Sequence, residues 1–241
     1  MRSTSVVLLL LFATSAAAQA PPPIIDMHLH ALKADANGPP PLALCPGTAY
    51  PGRDPAQDWV ETFTAALKTP PCTNPIWGAT TDEEVMTQTL EVLERRNIIG
   101  VTSGSQLAKW RKAGGDRIVP ALAFGGAPQS WPKPEEFRKR LQEGGYRAFA
   151  EVSIQYNGVS PSDPEFEPYL AIAEELDIPM GIHIGTGPPG APYFPPFNWP
   201  KAIDYAIESI TTAPFLTEEQ KRDILYNNAA RFLRLNDAAA R

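Results

Sequence analysis

Short apolar runs and longer amphipathic stretches take turns along this chain, and their order predicts strands alternating with helices. Ile24 to Leu32 reads as the first strand. Thr81, with Glu84 three residues on, opens a helix whose apolar face carries Val85, Leu90 and Leu93. A short strand from Ile98 to Thr102 follows, then a helix near Gln106 to Lys112 that ends at Gly114-Gly115. The cycle repeats with a strand over Ile118 to Phe124, a helix over Pro134 to Gln142 and a strand over Tyr146 to Ile154. A helix over Pro164 to Leu176 and a strand over Pro179 to Ile184 complete it. Such alternation implies a parallel sheet with right-handed crossovers. Two further helices close the chain, Lys201 to Ile210 and Thr217 to Leu235, the second capped by Thr217 with Gln220.

Three segments break the rhythm. Residues 33–79 are rich in Pro, Gly, Asn and Asp, and so long a loop in a compact domain is expected to be a lid or a binding rim. Cys45 and Cys72 both fall within it, an even count that in an oxidising compartment favours a disulfide over two free thiols. Gly185 to Pro200 shows no strand pattern. Residues 1–20 join Arg2, an apolar run from Val6 to Phe12 and the small-residue stretch Ala18-Gln19-Ala20, which is a secretory signal pattern with cleavage expected after Ala20. Residues 21–241 are then expected to form one domain of a secreted or periplasmic protein.

The formal net charge of −6 argues against nucleic acid as a partner, since that binding rests on clustered Lys and Arg. After the signal, no run approaches the roughly 20 apolar residues of a membrane-spanning helix. What remains is a small-molecule substrate, with a homo-oligomer left open.

The chain has three histidines, and each sits where an apolar strand is ending. In Asp26-Met27-His28-Leu29-His30, regular alternation would send Asp26, His28 and His30 to one face and Met27 and Leu29 to the other. Two neutral imidazoles on one strand face suit zinc or a similar divalent ion. His183 follows Met180-Gly181-Ile182, whose apolar members face a helix while glycine leaves room beside the histidine. On the preceding strand the same alternation groups Phe149, Glu151 and Ser153, making Glu151 a buried carboxylate that needs a partner. Taken singly, His183 reads as a hydrogen-bonded core histidine and Glu151 as an ion-pair partner of Arg147 or a lysine. One bound ion accounts for His28, His30, Glu151 and His183 together.

Ile24 to Ala31 resembles the first-strand H-x-H signature of the amidohydrolase superfamily, in the branch called amidohydrolase family 2. Tyr146 to Tyr156, Ile178 to Gly187 and the closing Tyr226-Asn227-Asn228-Ala229-Ala230-Arg231-Phe232 are similar to further segments of that branch. The resemblance implies a metal-dependent hydrolase on a (β/α)8 TIM-barrel-like scaffold, here partial, with about five parallel strands, outer helices and two C-terminal helices. It implies a divalent metal, zinc by preference, on His28, His30, Glu151 and His183. The family's strand-six histidine and strand-eight aspartate have no counterpart, which places an internal truncation near 186–200. Asp204 lies in a helical segment, so the aspartate's role is not carried to it. Expected chemistry is attack of metal-activated water on an amide, ester or lactone carbonyl. The alternatives are non-oxidative decarboxylation of a small acid, or a catalytically impaired metal-binding remnant. Loss of strands six to eight would also leave the first and fifth strands as sheet edges.

Overall fold

A computed structural model describes residues 22–46, 56–154, 159–183 and 202–235. The expected signal segment and the expected truncation near 186–200 lie outside these residues. Five parallel strands form one curled sheet in the order β1 (Ile24–His30), β4 (Ile98–Ser103), β5 (Ile118–Gly125), β6 (Ala148–Ser153) and β7 (Met180–Ile182). Helices α2 (Asp82–Arg95), α3 (Leu107–Gly114), α4 (Pro134–Glu143) and α5 (Glu167–Glu175) supply the crossovers between successive strands. The architecture is α/β, a half-barrel as expected for a partial TIM-type fold. No helix among the described residues is long and apolar enough to cross a membrane.

Local signals fix the helix ends. Thr81 accepts from the Glu84 amide at 3.2 Å while Glu84 accepts from the Thr81 amide at 3.1 Å, a complete capping box at the start of α2. Thr217 and Gln220 repeat it at α7 (Glu218–Arg222). The convex side of the sheet is covered in two patches. Leu29, Ile98 and Ile118 pack with Val85 and Leu93 of α2 and Trp110 of α3. Leu122, Phe149 and Val152 pack with Phe137 and Leu141 of α4, Tyr169 and Ile172 of α5, and the connecting Trp131 and Phe166. Phe124 sits among five of these rings, with centroids 4.9 to 6.2 Å away.

The concave side is lined differently. Ile25, Val101, Val119, Ala121, Ala148 and Ala150 meet Ala229, Ala230 and Leu233 of the last helix, in which α7 continues through a π-helical turn (Asp223–Asn227) into α8 (Asn228–Phe232). Alanine on both sides lets a helix backbone approach the sheet closely. Arg222 donates to the carbonyl of Pro23, which ties this helix to the start of β1. β1 and β7 are the outermost strands of the sheet among the described residues, and the concave face beside β1 is not left open.

The long segment after β1 is not wholly loop. It holds α1 (Trp59–Lys68) and a small antiparallel pair, β2 (Ala43–Leu44) with β3 (Ile76–Trp77). Their core is small, essentially Leu42, Leu67 and Ile76. The Cys45–Cys72 disulfide, expected from the sequence, is present and closes 27 residues. A loop of that length contributes about 3.5 kcal/mol by restricting the unfolded chain, comparable to what a few buried side chains supply.

α6 (Ala202–Thr211) is held to the end of α2 by charge. Asp204 accepts from Arg95 at 2.8 Å and from Arg96 at 2.7 Å, and Arg96 also donates to Glu208 at 3.0 Å. Partial burial opposes ionisation of Asp204, but the hydrogen bonds from Arg95 and Arg96, with their charges, prevail and hold its carboxyl below the usual range. A lowered native value means the contribution is full above the unfolded value of 3.8 and is lost as pH falls through the native one. Asp204→Asn is therefore expected to cost about 1 kcal/mol at pH 7 in urea titrations, and the gap to wild type should close in acid.

Candidate metal centre

Two irregularities in the sheet build the site. Along β1 and β4 the Cα partners run Asp26 to Gly100 and then Leu29 to Thr102, so Met27 and His28 together stand opposite Val101 alone. This is a β-bulge, and it reverses which face the following residues reach. Ile25 and Met27 face the last helix on the concave side, while Leu29 faces the outer helices. The simple alternation expected for Asp26 to His30 is thus corrected: Met27 and Leu29 do not share a face. Asp26 stays out of the histidine cluster and accepts the His28 amide at 2.9 Å, satisfying a donor at the bulge.

β6 carries the second bulge. Phe149 pairs with Leu122 and Met180, and Val152 with Phe124 and Ile182, so Ala150 and Glu151 stand against one residue on each neighbour. Phe149 is fully buried under the outer helices, not beside Glu151 as alternation predicted, because the extra residue turns Glu151 to the concave side. Gly181 makes room, since a Cβ there would lie 3.1 Å from the Ala150 Cβ. Met180 and Ile182 pack outward as expected, and the His183 amide donates to the carbonyl of Val152 at 2.9 Å.

The result is a cluster at the C-terminal ends of the strands. His28 Nε2 lies 2.8 Å from His30 Nε2 and 2.9 Å from Glu151 Oε2, and His30 Nε2 lies 3.3 Å from the same oxygen. These three ligand atoms all fall within 4.8 Å of one another. His183 contacts the other carboxylate oxygen, Oε1, through Nδ1 and lies outside that three-atom group, although its ring centroid is only 6.0 Å from that of His28. The Ser103 hydroxyl, which sequence reading did not single out, lies 3.3 Å from His30 Nδ1. Asp204 is at the opposite end of the sheet, with the arginines that end α2.

Electrostatics follow from the contacts. Burial alone would raise the Glu151 carboxyl, but hydrogen bonds from His28 and His30, the charge of His28 and the contact with His183 outweigh it. Glu151 is therefore an ionised carboxylate well below its usual range. His28 is pushed up, first by its hydrogen bond to Glu151, against a smaller opposing effect of burial.

Beside the cluster is a cleft of about 650 Å³, lined by His30, Glu151, Ser103, Ser153, Phe124 and Arg111 among others. That size suits a small molecule. No described residue of the segment 33–79 is among those lining it, and residues 47–55 of that segment lie outside the described residues.

Parallel strands wrapped by helices, with polar side chains gathered at the strands' C-terminal ends, define the (β/α)-barrel class. The chain belongs to the amidohydrolase family, whose sequence model matches residues 25–196. No curated protein and no solved structure matches it.

In the metal-free protein, imidazole NMR is expected to show His28 titrating above 6.5 and Glu151→Gln bringing it down. The pair's contribution to stability is present below 6.5 and fades as pH rises through the raised His28 value. An unchanged His28 titration in the variant would contradict the pairing.

Proposed function

We propose that the chain is a metal-dependent hydrolase of the amidohydrolase type, with His28, His30, Glu151 and His183 around one divalent ion, zinc by preference. The observation that carries this reading is the convergence of two imidazole nitrogens and a carboxylate oxygen from strands 123 residues apart. Two atoms each about 2.1 Å from one zinc can be no more than about 4.2 Å apart, and the separations of 2.8, 2.9 and 3.3 Å satisfy that bound. The donor set also fits in charge, because Glu151 is ionised and neutral imidazole is the usual partner of a carboxylate on zinc. His183 Nδ1, against the other oxygen of Glu151, orients that carboxylate.

When bound, such an ion lowers the pKa of a water and polarises a carbonyl oxygen. The protein's own part is to hold the ligands on rigid strand ends and to place a small amide, ester or lactone in the adjoining cleft. A signal pattern at residues 1–20 and the Cys45–Cys72 disulfide support export to an oxidising compartment.

One observation favours a weaker second reading, a metal-binding chain with little turnover. Asp204 is committed to Arg95 and Arg96 and does not supply the aspartate that takes a proton from water in the family.

Elemental analysis of the purified chain is expected to find one zinc per chain, lost in His28→Ala. Assays on amide, ester and lactone panels separate the two readings, and carbon dioxide release from small aromatic acids would redirect the first to decarboxylation. A wild-type chain that takes up no zinc would end both.

A further inference from the structure

We infer that Ser103 is a positioning residue that selects the ion-binding tautomer of His30, an inference that rests on the metal reading above. Its backbone is fixed first. The Ala31 amide donates to the Ser103 carbonyl at 2.7 Å, and the Gln106 amide donates to the Ala31 carbonyl at 2.8 Å. Gly104 permits this close lock: its φ is +123°, and a Cβ there would lie 2.5 Å from the Ala31 oxygen. Ser103 is the Cα partner of His30 across the β1–β4 ladder, so the two side chains leave the sheet side by side.

The His30 ring is oriented by its two nitrogens. Nε2 faces His28 Nε2 and Glu151 Oε2, and Nδ1 faces the Ser103 hydroxyl at 3.3 Å. A neutral imidazole that gives the Nε2 lone pair to an ion carries its proton on Nδ1. With an ion on Nε2, that N–H has Ser103 Oγ as its acceptor. The opposite tautomer puts the proton on Nε2, where it blocks coordination. Solvent compensates little for loss of the hydroxyl, because Ser103 is 4% exposed and the His30 side chain 11%. The His28 side chain, at 41% exposed, is open to water and less dependent on such a partner. A hydroxyl outside the ligand group thus orients one ligand and not the other.

The test compares wild type, Ser103→Ala and Ser103→Thr, with and without zinc, by long-range proton–nitrogen NMR of the imidazoles and by zinc titration against a competing chelator. Zinc-loaded wild-type His30 is expected to be protonated on Nδ1. Ser103→Ala is expected to mix the tautomers and to weaken zinc binding about 10- to 100-fold, with melting within a few degrees of wild type. Ser103→Thr, which keeps the hydroxyl, should restore both to within about threefold of wild type. An Nε2-protonated His30 in zinc-loaded wild type, or zinc held as tightly by Ser103→Ala, overturns the inference. If wild type binds no zinc, the metal reading fails separately. The zinc-free spectra then decide on Ser103: a smaller share of the Nδ1–H tautomer in Ser103→Ala than in wild type supports its role, and an unchanged His30 spectrum overturns it.

Discussion

Successive residues of a strand point to opposite faces, and this alternation is the constraint on which the site depends. β6 has to send Phe149 and Val152 to the helix side and Glu151 to the other, while Ala148 and Ala150 face the last helix. No regular strand does this. The bulge at Ala150-Glu151 resolves the conflict by giving up regular pairing at one position. Burying a Phe or a Val contributes about 1.5–3 kcal/mol each, more than the net value of about 0.5–1.5 kcal/mol for a ladder hydrogen bond. The same balance explains the bulge at Met27-His28, where half-buried Met27 and buried Leu29 pack on opposite faces.

The order of elements was legible because each helix announces itself locally. Thr81 with Glu84, Gly114-Gly115 and Thr217 with Gln220 act through their own backbone neighbours, and the structure places helix ends close to them. His28, His30 and Glu151 were also legible as polar residues ending apolar strands. The geometry that joins them was not, since it rests on register across strands rather than on spacing within one. One signal was available: Phe149 and Val152 are both large and apolar yet differ in parity, so they cannot share a face of a regular strand. Ser103 gave no such signal, because a serine closing a strand looks like any turn residue until its partner is known. α1 and the β2–β3 pair were hidden by the proline-rich composition around them and by how much of their order comes from the Cys45–Cys72 link.

The last helix answers a problem posed by the short sheet. A complete barrel fills its interior with side chains from all its strands, and the five strands among the described residues have a concave face with fewer strands to cover it. Ala229 and Ala230 of this helix meet Ala121, Ala148 and Ala150, so small side chains on both surfaces allow contact at backbone range. The site stays open because this packing is made along the inner face while His28, His30 and Glu151 stand at the strand ends.

Arg222 and Pro23, which join that helix to the first strand, are 199 residues apart in the chain. Such contacts of high sequence separation form late, after nearer pairings have shortened the effective loop between them. The inner surface of the sheet therefore dries only when the helix from α7 to α8 arrives, so an emerging chain still lacking that helix exposes apolar strand surface to whatever holds or degrades unfinished proteins.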